Sequence, residues 1–197
     1  MDTLQELSKT LHRRGFSTEI FTSGTDAASR LRELVHGKTV GYGGSQTLRE
    51  IGIFDYLEGD AEEVFTHLPG RGEEMERKAL CADIFLTSAN AITMDGHIVN
   101  IDGTGNRVAA TCFGPQRVIY FIGRNKIVPT LDDALRRAKE AAVKVARRFE
   151  RKTPCVTTGS CEECLSPDCV CSITTIHRKK PYGVDITVFL IDEDLGF

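Results

Sequence analysis

"KTVGYGGSQTLREIGIF", residues 38–54, reads as a short buried strand, a turn of small residues and a helix in immediate succession. In an open α/β sheet, ligands lie beyond the carboxyl ends of the strands, where such turns sit. Gly41, Gly43 and Gly44, followed by Ser45 and Thr47, let backbone N–H groups approach a ligand. The start of a helix adds partial positive charge, which suits a phosphate or a carboxylate. The spacing is neither the dinucleotide GxGxxG nor the P-loop, so neither a nicotinamide nor a nucleoside triphosphate is indicated. The competing reading is a tight turn that simply requires small residues.

Working outward, the same alternation of strand and helix continues in both directions. Upstream, Leu4, Leu7 and Leu11 predict a helix that stops at Gly15, "STEIFTS" a strand, and "TDAASRLRELVHG" a second helix with Ala28, Leu31 and Val35 on one face. Downstream come a strand "EEVFTHL", a loop "PGRG", a helix "EEMERKALC" and a strand "DIFLTSA". The Asp95-Gly96 pair inside "AITMDGHIVNI" predicts a two-residue hairpin, hence a short antiparallel insertion. "RVIYFIG" returns to a buried strand, residues 130–152 form the longest helix, and "DITVFLI" is the last strand. In that helix Leu131, Leu135, Ala138, Ala142, Val145 and Phe149 form the expected apolar stripe, with Thr130 at the N-terminus. The pattern is that of an α/β, Rossmann-like three-layer sheet with helices on both faces.

The chain has 197 residues, 41% hydrophobic and 27% charged, with a formal net charge of -3. These values predict one domain over residues 1–197 and argue against nucleic acid as a partner. The opening residues lack the apolar core of a signal peptide and no stretch is long enough to cross a bilayer, so a cytoplasmic protein without a membrane partner is expected.

Three polar loops are expected to converge at the carboxyl edge of the sheet. Ser88, Asn90 and Thr93 follow one strand, and Asp102, Gly103, Gly105, Asn106 and Arg107 form a turn into another helix. Asn125 and Lys126 follow the next strand. Arg107 and Lys126 would supply charge for a small anionic metabolite, and Asp95 or Asp102 could act as acid or base. Each of these residues is also ordinary turn chemistry, and it is their joint occurrence that points to a site.

Five of seven cysteines fall between residues 155 and 171, spaced C-x5-C-x2-C-x4-C-x-C. A reducing compartment favours metal binding or redox chemistry over structural disulfides. Glu162 and Glu163 inside the Cys161–Cys164 pair disfavour a reactive thiolate, which leaves a metal centre as the better reading. Zinc usually takes two separated knuckles, whereas an iron–sulfur cluster tolerates compact, irregular spacing; the spacing alone excludes neither. Cys81 and Cys112, in apolar settings, are expected as small core residues. His12, His36, His67, His97 and His177 are scattered, with His177 a subsidiary candidate ligand.

"GYGGSQTLREIG", "TSANAITMDGHIVNIDGTGNRVAA", "FGPQRVIYFIGRNKIV" and the cysteine stretch, with the closing "DITVFLIDEDLGF", resemble the LUD, or lactate-utilisation, family over nearly the whole chain. That family is similar in fold to ribose-5-phosphate isomerase, glucosamine-6-phosphate deaminase (NagB) and coenzyme A transferases. The resemblance implies redox-linked use of lactate or a related organic acid, with other iron–sulfur proteins as partners, and leaves a homo-oligomer open. It also implies Cys155, Cys161, Cys164 and Cys171 as ligands of a [4Fe–4S] cluster, or alternatively of zinc. Cys169 departs from the family pattern, standing where relatives carry a basic residue, and makes the fourth ligand a choice between Cys169 and Cys171.

Overall fold

Leu4, Leu7 and Leu11 are buried along one face of α1 (Asp2–Arg13), as their spacing requires. They pack on one side of a six-stranded sheet, and Ala28, Leu31 and Val35 of α2 (Gly24–Val35) pack on the other. The strands are β1 (Ser17–Phe21), β2 (Thr39–Tyr42), β3 (Glu63–Thr66), β4 (Ile84–Thr87), β7 (Arg117–Gly123) and β10 (Asp185–Ile191). Their order is β1-β10-β7-β4-β2-β3, and every pairing is parallel. The two faces of β7 show why the strands read as continuous apolar runs: Val118, Tyr120 and Ile122 enter one core while Ile119 and Phe121 enter the other. α4 (Glu73–Leu80) and α5 (Asn106–Cys112) share the α1 face, and α3 (Gln46–Ile51) shares the α2 face. The computed structural model describes residues 2–66 and 72–197. His67, the end of the strand expected at "EEVFTHL" and most of the "PGRG" loop lie outside the described residues.

The predicted hairpin forms, with β5 (Ala91–Thr93) antiparallel to β6 (Ile98–Asp102). It is more than an insertion. β8 (Ile127–Val128) adds beside β5, and β9 (Ile173–His177) beside β6, which makes a second sheet of order β8-β5-β6-β9. Nothing in "SITTIH" alternates with period two, and Ile173 and Ile176 stay partly exposed, so β9 carries no strand signature.

The long helix, α6 (Leu131–Arg148), is capped by Thr130, whose side chain accepts from the Asp133 amide. Its buried face is the alanine face, Ala134, Ala138, Ala141, Ala142 and Ala146 with Val143, which includes Ala138 and Ala142 of the expected stripe but not Val145 or Phe149. Small side chains let α6 lie close on the second sheet, against Ala91, Val99 and Ile101. Leu131 and Leu135 flank that contact, while Val145 and Phe149 are turned toward a cavity described below. Cys81 and Cys112 are exposed, against expectation. Each lies at the C-terminal end of a helix, Cys81 as the cap of α4 and Cys112 as the last residue of α5. No helix among the described residues is long and apolar enough to cross a membrane.

Candidate functional site

Because all six strands run parallel, the loops after β2, β4 and β7 leave from one edge of the sheet. There they border a cavity of about 540 Å³, closed on its far side by α6 and by residues 167–172. Gly43, Gly44, Ser45, Thr47, Ser88, Asn90, Asp102, Gly103, Asn106, Arg107 and Lys126 all line it.

Arg107 holds this wall together. Its Nε donates to Asp102 Oδ2 at 3.0 Å, Nη1 to Asn100 Oδ1 at 2.8 Å, and Nη2 to the Ile101 carbonyl at 2.7 Å. Asp102 Oδ1 accepts from the Gly105 amide at 2.7 Å, and Asn90 Oδ1 from the Ile101 amide at 2.7 Å. Asp102 is therefore committed on both oxygens, to an ion pair and to a turn. A Cβ added at Gly43 would meet the stem of Arg107 at 3.7 Å, an ordinary van der Waals contact.

Lys126, only 3% exposed, forms the floor. Its Nζ donates to Thr47 Oγ1 at 2.6 Å and to Ser88 Oγ at 2.8 Å. Burial pushes its ammonium down to about 7, the nearby positive charges of Arg137 and Arg107 push the same way, and Glu50 opposes them.

Arg148, at the end of α6, supplies the uncompensated charge. Its Nη2 donates to the Gly44 carbonyl at 2.7 Å and Nη1 to Gln46 Oε1 at 3.3 Å, while the buried Nε has no partner. The guanidinium carbon lies 4.6 Å from the centre of the Phe149 ring and 5.6 Å from that of Phe197. No carboxylate among the described residues pairs with it. Burial, then the charges of Arg49 and Arg107, push its pKa down, which marks a cation held at electrostatic cost. Sequence reading does not single out Arg148, because the helix dipole by itself accounts for a basic last turn in α6. It also missed Arg151 and Asp168, paired at 3.0 Å on the cavity wall, and Glu76, which accepts from Asn106 Nδ2 at 3.3 Å.

Five expected residues stand elsewhere. Gly41 is inside β2, where a Cβ would lie 2.5 Å from the Ala79 carbonyl oxygen, so its smallness serves helix packing. Gly105 caps α5 with φ 93°, and Asn125 Oδ1 accepts from the Leu195 amide at 3.1 Å. Thr93 and Asp95 are at the hairpin tip, three residues and more past Asn90, and Asp95 is bound by Thr93, His97 and Arg14. Burial pushes the Asp95 carboxyl up, but the hydrogen bonds from Thr93 and His97 outweigh it and hold the group below its ordinary range. A carboxylate held ionised away from the cavity is unsuited to act there as an acid.

The cysteines gather beside this cavity. Thr153 and Pro154 start a short helix, α7 (Pro154–Thr158), that carries Cys155, and the chain then turns through Gly159. Glu163 adopts φ 50° inside the Cys161–Cys164 turn, and its carboxylate pairs with Lys139 of α6. Cys155, Cys161, Cys164, Cys169 and Cys171 all line one hollow of about 30 Å³, walled by Ala142, Val143, Ala146 and Val170. Burial, and then the thiols of Cys169, Cys161 and Cys164, push the Cys171 thiol up to about 11. Among the described residues, no three His, Cys, Asp or Glu side chains close on a point at single-ion distance. The five cysteines share one hollow without converging on a single point. The soft donor set fits a thiolate-bound metal or cluster. A hollow this small would hold a cluster only with the cysteine segment moved outward. His177 is no part of this group: it is buried under α5, its Nε2 3.1 Å from the Thr111 carbonyl oxygen. Ala142, Cys169 and Val170 line both the hollow and the larger cavity.

The family model for the LUD domain matches residues 4–191. Among solved structures, the crystal structure of a DUF162 family protein from Deinococcus radiodurans is similar, with a TM-score of 0.51, 13% identity and 96% of each chain covered. At that identity the likeness is one of fold. No curated protein matches the chain significantly.

Proposed function

The chain belongs to the LUD domain family, and from that premise we propose that it is a redox-linked protein of organic-acid utilisation, acting on lactate or a relative. In this reading the large cavity holds a small anionic carboxylate and the cysteines bind an iron–sulfur cluster, [4Fe–4S], through Cys155, Cys161, Cys164 and either Cys171 or Cys169. The observation that carries it is the wall common to the two spaces, formed by Ala142, Cys169 and Val170.

Arg148 offers the anion a charge that no carboxylate among the described residues neutralises, and Arg107 keeps the opposite wall rigid while Asp102 absorbs its charge. Phe149 and Phe197 exclude water from that guanidinium, which strengthens its attraction for a carboxylate. When bound, the cluster would supply one-electron exchange next to the cavity. Loading the cysteines would move Cys169 and Val170, which are also cavity wall, so occupancy of one space is expected to alter affinity in the other. A partner iron–sulfur protein would meet the segment at its exposed tip, where Leu165 is fully exposed beside Cys164.

Anaerobic purification tests the reading. A broad absorbance near about 400 nm that bleaches on reduction, and that shifts when glycolate is added, is expected. Colourless protein with stoichiometric zinc would replace it with a metabolite-binding or regulatory protein that holds a structural metal.

A further inference from the structure

Lys126 has a bonding pattern that a neutral amine satisfies in full. Ser88 Oγ gives its single hydrogen to the Phe121 carbonyl at 2.6 Å, and Thr47 Oγ1 gives its own to the Leu195 carbonyl at 3.4 Å. Both hydroxyls are therefore acceptors toward Lys126 Nζ, and they use two of its hydrogens. A neutral amine has no more than two, and keeps its lone pair. An ammonium would carry a third, for which the described residues provide no acceptor. No carboxylate pairs with Nζ among those residues, and the cavity above it contains the uncompensated guanidinium of Arg148. A desolvated amine among other cations is the usual arrangement for a nucleophilic lysine.

We propose that Lys126 forms an imine with the anion in the cavity, and that this anion is a small carboxylate bearing an aldehyde or ketone next to the carboxyl group. The inference rests on reading the cavity as an anion site and goes further, by naming the reactive group of the ligand. The Nζ lone pair forms a bond to the carbonyl carbon as the carbon–oxygen π pair moves to oxygen. Both N–H hydrogens then leave with that oxygen as water, and a C=N bond remains. No electron is gained or lost, so no oxidant or reductant takes part. Arg148 holds the carboxylate, and Thr47 and Ser88 fix the amine. The low pKa of Lys126 agrees with this geometry, since an exposed lysine is less than roughly 1% neutral at neutral pH.

The full-length protein is incubated at neutral pH with glyoxylate and cyanoborohydride, then digested and mapped, while calorimetry follows the binding of glyoxylate and of glycolate, which has the carboxylate but no carbonyl. Expected is carboxymethyl-lysine at Lys126, roughly 100-fold above any exposed lysine, suppressed by excess glycolate. Lys126→Met loses the label, and mapping of the unaltered protein decides the matter even where that variant folds poorly. Glyoxylate that binds while Lys126 is labelled no faster than surface lysines overturns the imine and leaves the anion site standing. Failure of both compounds to bind overturns the anion site and the imine with it.

Discussion

Arg107 Nε and Asp102 Oδ2 meet at 3.0 Å with both side chains largely buried, and the other two guanidinium nitrogens are bound to Asn100 and the Ile101 carbonyl. This pair clamps the cavity wall rather than offering a free charge to a ligand. Arg107→Met strands the Asp102 carboxylate and is expected to cost about 3–5 kcal/mol of stability. Denaturant unfolding measures this. A loss under about 1 kcal/mol would show the pair to be ordinary surface electrostatics.

Arg148 is the converse case, a half-buried cation without an acidic partner among the described residues. Arg148→Gln should weaken glycolate binding tenfold or more, about 1.4 kcal/mol, because the uncompensated charge is what a carboxylate gains by entering. Stability should change by less than about 1 kcal/mol, since removing a charge held at a burial cost offsets the two hydrogen bonds lost. Calorimetry and melting on the same preparation separate the two effects.

Lys126 predicts a specific pH dependence. Its folded pKa of about 7 lies below the ordinary 10.5, so between those values the unfolded chain binds more protons. Stability from this group therefore rises as pH climbs from about 7 toward 10.5, and the full cost of burying an ammonium is present below about 7. Lys126→Met should flatten this rise. Denaturant midpoints for the two proteins at about pH 7 and about pH 9 show whether their difference changes with that sign.

Gly41 belongs to the glycine loop by sequence and to the core by structure. A Cβ there would meet the Ala79 carbonyl oxygen at 2.5 Å and the Phe85 ring at 3.0 Å. Gly41→Val is expected to cost about 1–3 kcal/mol, as overpacking does, with glycolate affinity preserved in the folded fraction. Loss of affinity at unchanged melting temperature would return Gly41 to the ligand.

These cases show what a single sequence reveals and where it stops. Strand–helix alternation is local, so β2, α3, β4, β7 and α6 are legible from apolar period, capping Thr130 and punctuating glycines. The second sheet is not, because β8 has two residues and β9 pairs with β6 from seventy-odd positions away, a long-range fact with no local pattern. Within the site, residues directly after parallel strands, such as Ser88 and Lys126, are found by the carboxyl-edge rule. Asn125 follows the same rule and fails it, since it holds the Leu195 amide, and Asp95, in the hairpin turn, is turned to Arg14. Arg148 escaped because a basic helix end has a sufficient explanation in the helix dipole, and only packing shows that this one lies between Phe149 and Phe197.

The central claim, that the clustered thiols beside the carboxylate cavity share an inorganic core, is tested most directly by iron and acid-labile sulfide analysis of protein prepared without oxygen. About four of each per chain is predicted, falling by more than half in Cys164→Ser. Five freely titrating thiols with neither iron, sulfide nor zinc would contradict it.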